Sequence, residues 1–206
     1  MKDRWDTGRI EAFSDGVFSV AATLLVLEIS VPASDFDHLW KGIGDQWPSY
    51  LAFATSFLTV GGIWLSHHAI FRCLRFADAI ITRLNLLLLM AVSFLPFPTK
   101  LVAEAINSNS AERTAVLFYG ATLLVISVLV TSIIRYAGSK PDLIQEEGRD
   151  EVVALAAGSS PNLAFYFVVL ALAFLAPRVA AVGFLAAAVF AIVRVRSGTH
   201  RHPARR

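Results

Sequence analysis

Polar and ionisable side chains set into apolar surroundings are where this sequence can do chemistry. Arg9, Glu11, Ser14 and Asp15 stand where a long apolar run begins, and the same run carries Ser19, Thr23 and Glu28. A second run holds Trp64, His67 and His68. A third opens with Asp78, Arg83 and Asn85, then carries Ser93, Pro96, Pro98, Thr99 and Lys100. Two histidines and an aspartate suggest a metal site. Adjacent helical residues diverge by about 100°, however, and no third ligand stands at metal-site spacing. Ser14, His67 and Asp15 suggest a hydrolytic triad. Ser14 and Asp15 are neighbours that point apart, and the base needs an orienting carboxylate on its far side. The expectation is therefore no enzyme, no metal and no cofactor. What remains is a set of costly intramembrane groups that hold helices together or line an ion path.

The elements that carry these residues read as membrane spans. The chain has 206 residues and is 56% hydrophobic, above the 45–50% or so of a soluble domain. The excess falls into long apolar runs separated by short charged segments. A soluble helical bundle would show polar faces that several of these runs lack. A bilayer core of about 30 Å asks for roughly 20 apolar residues per helix. The prediction is an all-α polytopic membrane protein with six spans, near residues 10–31, 49–71, 84–106, 115–134, 162–175 and 179–193. Ala176, Pro177 and Arg178 read as a tight turn between the last two. The mixed charge of Met1–Gly8 does not make a signal peptide, so the first span is expected to be retained. With Cys73 the single cysteine, no intrachain disulfide forms.

Charge gives the orientation. With the N-terminus in the cytoplasm, fourteen lysines and arginines fall on that side: Lys2, Arg4 and Arg9, the group from Arg72 to Arg83, Arg135 to Arg149, and the C-terminal arginines. Lys41, Lys100, Arg113 and Arg178 fall on the other. The positive-inside rule then places both termini in the cytoplasm of a multi-pass plasma-membrane protein. Residues 1–193 form one transmembrane domain. Residues 194–206 form a basic, disordered tail, expected to touch anionic lipids and not nucleic acid. The linker from Tyr136 to Glu151 reads as a solvated connector or a helix extension.

On a helical projection of the first span, Val20, Leu24 and Leu27 share one stripe, with Thr23 beside it. Ser14 and Asp15 lie more than about 90° away, and Glu11 is roughly opposite. Such a stripe serves packing, lipid contact or a pore. The polar side lies at the same depth as Trp64, His67, His68 and Asn85, where a hydrogen-bonded network would relieve the cost of a buried aspartate.

The motif Arg9-x-x-x-Phe13-Ser14-Asp15 at the start of the first span resembles the bacterial branch of the transmembrane-protein-175 potassium channel family. Trp64-Leu-Ser-His67-His68, Asn85-Leu-Leu-Leu-Leu and Leu95-Pro96-Phe97-Pro98-Thr99 are similar to the same family in order. The resemblance covers the first three spans. It implies a potassium-selective channel assembled as a homotetramer, with the first helix of each subunit lining a central pore. Val20 would form the narrowest ring, where many members have isoleucine, and Leu24 and Leu27 would extend it. Thr23 would serve selectivity. Arg9, Phe13, Ser14, Asp15, Trp64, His67, His68 and Asn85 would form the network that holds the pore helix. The sequence has no T-V-G-Y-G filter and no arginine-repeat voltage sensor, so selection falls to side chains and gating to dewetting of an apolar ring. The alternative is a proton- or ion-coupled secondary transporter using Glu11, Asp15, Glu28 and the histidines, although no inverted repeat or glycine-broken helix pair supports it. A non-transporting membrane protein is a third reading.

Overall fold

The computed structural model describes residues 5–105 and 111–198. Its architecture is all-α. Helix α1 spans Thr7–Leu24 and tightens into a 3-10 turn over Leu25–Glu28. A 3-10 turn at Ala33–His38 and the short α2 (Leu39–Asp45) lead into α3, Trp47–Cys73. Helices α4 (Ala79–Phe94) and α5 (Pro96–Ala105) follow, then α6 (Ala111–Gly138), α7 (Arg149–Ala173) and α8 (Pro177–Gly198). Among the described residues, five stretches are long and apolar enough to cross a membrane: Thr7–Glu28, Trp47–Cys73, Ala79–Ala105, Ala111–Gly138 and Glu146–Ala173. Pro177–Ala191 is a shorter apolar helix.

Several boundaries differ from the sequence expectation for identifiable reasons. The third span starts at Ala79, well before residue 84, because Asp78 caps it: its carboxylate accepts the Ile80 and Ile81 amides at 3.1 and 2.9 Å. The same span is broken at Leu95, since Pro96 supplies no N–H to continue the ladder. The fifth helix begins at Arg149, not near residue 162, and runs through Pro161. A proline inside a membrane helix is tolerated where neighbours re-satisfy the freed backbone. The sixth starts with Pro177 in its first turn and runs to Gly198, so the expected tail is helical at its start. Residues 199–206, Lys2, Arg4 and Ile106 lie outside the described residues.

Helix ends are tied in two groups. At one end, Trp5 and Ala77 exchange backbone hydrogen bonds of 2.8 and 3.1 Å. The Arg75 amide donates to the Leu143 carbonyl at 2.7 Å, and the Gln145 amide to the Cys73 carbonyl at 2.9 Å. Gly148 is required here, since a Cβ would stand 2.9 Å from that of Cys73. The Tyr136 hydroxyl donates to Asp78 at 2.7 Å. Partial burial acts to raise the Asp78 pKa, but the hydrogen bonds from the Ile81 amide, Tyr136 and the Ile80 amide, with Lys140 nearby, hold it below the usual carboxylate value. At the other end, Lys100 lies 3.5 Å from Glu28, and Arg178 3.1 Å from Glu112.

Between these ends α6 packs on α7, α3 on α8, and α1 on α3 and α4. Gly120 lets α6 approach Phe184 and Leu170, whose side chains would lie 2.6 and 2.9 Å from a Cβ. Close approach of this kind matters in a membrane, where lipid competes equally for apolar side chains and packing decides association.

Candidate functional site

Helix α1 has two dissimilar faces. Ser14, Phe18, Ala21 and Leu25 recur at helical spacing and are at most 3% exposed against α3 and α4. The opposite face is uncovered: Phe13, Val20, Leu24 and Leu27 are 59, 57, 41 and 69% exposed. Gly16 and Thr23 share that face, and nothing lies within 4 Å of a Cβ built on Gly16. The Thr23 hydroxyl donates to the Val20 carbonyl at 2.9 Å. That bond uses the hydroxyl proton within the helix and leaves the oxygen able to accept.

The buried face is fastened by a directional chain. The Ser14 hydroxyl donates to the Ile10 carbonyl at 2.8 Å, so it can only accept from the Asn85 amide nitrogen, 3.0 Å away. The Asn85 carbonyl oxygen is thereby turned toward His67, whose Nε2–H donates at 2.9 Å. Asn85 and His67 are each 1% exposed. Nδ1 of His67 is buried without a partner, and the ring stacks on Phe71 at 4.1 Å with Phe18 edge-on at 5.4 Å. A side chain that both donates and accepts is what this position demands, and Asn supplies both functions on one rigid amide.

A parallel set of contacts lies alongside. The Trp64 indole N–H donates to Asp15 at 2.8 Å. Trp64 stacks on His68 at 5.7 Å. His68 Nδ1 lies 2.6 Å from a Glu11 carboxylate oxygen, without hydrogen-bond alignment. The two histidines diverge as adjacent helical residues must: His67 turns toward α4, His68 toward the start of α1. Six of the eight residues expected in the network therefore meet across α1, α3 and α4. Arg9 is exposed and joins none of these contacts, and Phe13 lies on the uncovered face. Glu11 was the partner missed. It stands three residues before Ser14 and four before Asp15, so helical spacing puts it on their side of the helix. Among the described residues no group of three His, Cys, Asp or Glu side chains is placed to hold a metal ion.

A second buried polar cluster was not foreseen. Thr99 donates to the Leu95 carbonyl at 2.8 Å, so its oxygen accepts from Ser56 at 2.8 Å. With its proton so used, Ser56 accepts from the Tyr119 hydroxyl at 3.0 Å. Thr99 was visible as a polar residue beside two prolines. Ser56 and Tyr119 sit in apolar runs and carry no comparable signal.

Residues 9–96 match the profile of the family described as the endosomal/lysosomal potassium channel TMEM175. A potassium channel of Chamaesiphon minutus is 41% identical over 174 residues, spanning 82% of this chain and 85% of that protein. A potassium channel of Streptomyces collinus is 42% identical over 124 residues, which is 60% of each chain. Among solved structures, the crystal structure of a lysosomal potassium-selective channel TMEM175 homolog from Chamaesiphon minutus superposes with a TM-score of 0.84 at 37% identity. That superposition covers 92% of this chain and 97% of the other.

Proposed function

Because the chain belongs to the TMEM175 family, a family of ion channels and not of enzymes, we propose that it is a potassium-selective channel conducting passively through a central pore. The pore is lined by α1 of four identical subunits related by closed rotational symmetry, the arrangement that makes one helix per subunit into a central passage. Val20, Leu24 and Leu27 form the apolar constriction, and Thr23 supplies oxygens to a partly dehydrated ion. Six helices cross the plasma membrane with both termini in the cytoplasm. The network of Ser14, Asp15, Trp64, His67, His68 and Asn85 holds the helix in place and does not touch the ion. Residues 1–193 act as the channel domain.

The uncovered face of α1 carries this reading: an apolar stripe with an oriented hydroxyl, on a helix whose opposite face is fully packed. A ring of such side chains stops ions by dewetting, and four threonine oxygens give modest discrimination. The test is flux in liposomes reconstituted with the purified protein. Potassium should move down its gradient with no added driving ion, and Val20→Asn should raise that flux by wetting the ring. Flux that saturates and depends on a counter-ion, or no flux at all, overturns the reading in favour of a carrier or a non-transporting protein.

A further inference from the structure

The two halves of α1 are held differently. Its inner half is fastened to α3 and α4 through Ser14, Asp15 and Glu11. Among the described residues, the outer half has one polar side-chain link to another helix, Glu28 to Lys100 at 3.5 Å. The turn bearing Glu28 packs on α5 as well as on α3. Lys100 directly follows Thr99, and Thr99 is the residue through which α5 is locked in depth. Pro96 and Pro98 remove two backbone donors from the middle of a span, a defect that a membrane helix survives when side chains from neighbours restore the bonding. The Val92 carbonyl that Pro96 leaves free is taken by the Leu95 amide at 3.1 Å, and α5 is tied to its neighbours by the relay Tyr119 to Ser56 to Thr99, drawn from α6, α3 and α5. Thr99 and Ser56 are 1 and 0% exposed, so water cannot substitute.

From this juxtaposition we infer that α5 is the positioning element of the outer pore. The hydroxyl relay fixes α5, and Lys100 transmits that position to the end of α1, setting how far Val20, Thr23 and Leu27 stand from the pore axis. Lys100 and Tyr119 are thus positioning residues for conduction, although neither faces the pore. The inference rests on α1 lining the pore. An apolar ring conducts steeply with its radius, so a small displacement of the outer turn is read out strongly.

Single-channel recording of the full chain in planar bilayers tests it. Lys100→Met and Glu28→Gln change the mouth's charge in opposite senses. If the pair positions the helix, both shift conductance and potassium-over-sodium preference in the same direction, by about two- to fivefold for a half-exposed pair. The swap Glu28→Lys with Lys100→Glu then restores the wild-type values. Tyr119→Phe, which alters no charge and lies within the protein, shifts preference in the same direction. Opposite signs for Lys100→Met and Glu28→Gln mean local electrostatics and overturn the inference. So do wild-type properties in all three single variants while Val20→Asn still raises flux, which leaves the pore reading standing. A Val20→Asn channel with unchanged flux removes the pore reading and this inference with it.

Discussion

The chain contains two buried hydrogen-bonded clusters, and they differ in kind. The inner one, Ser14–Asn85–His67, joins three separate helices through an amide and an imidazole, each with donors and acceptors that must be matched. The outer one, Tyr119–Ser56–Thr99, is built from hydroxyls, which rotate to suit whatever partner is near. The inner cluster is stiff and grips α1 directly. The outer cluster is adaptable, ties the segment after the proline break to α3 and α6, and has its polar link to the end of α1 through Lys100. The polar groups thus fasten the N-terminal end of α1 through three residues and leave the turn after it, among the described residues, with the one link from Glu28 to Lys100.

The largest way to break the contrast is Asn85→Leu. It strands the His67 N–H in the core and removes the donor to Ser14, at about 1–3 kcal/mol for each group left unpaired. A marked drop in the detergent unfolding midpoint is expected; an unchanged midpoint would show that the inner cluster does not grip. Asp78→Ala comes next, at about 1 kcal/mol for a lost helix cap, measured the same way. Its pH dependence sharpens the result. Because the folded carboxyl sits below the ordinary value, its contribution is present above the unfolded-state pKa and is lost as pH falls through the folded one. The difference between wild type and Asp78→Asn should therefore shrink under acid, and a difference that grows there would contradict the assignment.

Tyr119→Phe should cost less, about 0.6 kcal/mol, the average worth of a hydrogen bond between membrane helices. An effect on stability as large as that of Asn85→Leu would erase the distinction between stiff and adaptable clusters. Smallest in stability is Lys100→Met, since a half-exposed ion pair contributes little and often nothing measurable. Its signature belongs in conduction, where the unfolding midpoint barely moves.

How much was legible can be argued residue by residue. The Arg9-x-x-x-Phe13-Ser14-Asp15 motif, the paired histidines and Asn85 stood out because polar groups in apolar runs are rare and expensive, and helical spacing alone put Ser14 and Asp15 away from Val20 and Leu27. The same reasoning drew in Arg9 and Phe13, whose side chains do not enter the network, because a motif records neighbours in sequence and not the direction each side chain takes. Ser56 and Tyr119 were beyond reach for a related reason: a hydroxyl in an apolar helix identifies its partner only when another helix arrives beside it. The helix boundaries at Ala79 and Leu95 moved because a capping carboxylate at Asp78 and a proline without an N–H at Pro96 settle them.

The sequence by itself determined that the chain is a bundle of apolar helices and that its first helix has two chemically distinct sides, since hydropathy and a fixed angular step per residue require nothing further. Only the tertiary structure decided which side is covered. Packing of α3 and α4 on Ser14, Phe18, Ala21 and Leu25 is what leaves Val20, Thr23, Leu24 and Leu27 bare. It also decided that Lys100 meets Glu28. Contacts between residues far apart in the chain depend on how the helices are arranged, and the spacing within any one helix does not contain that information.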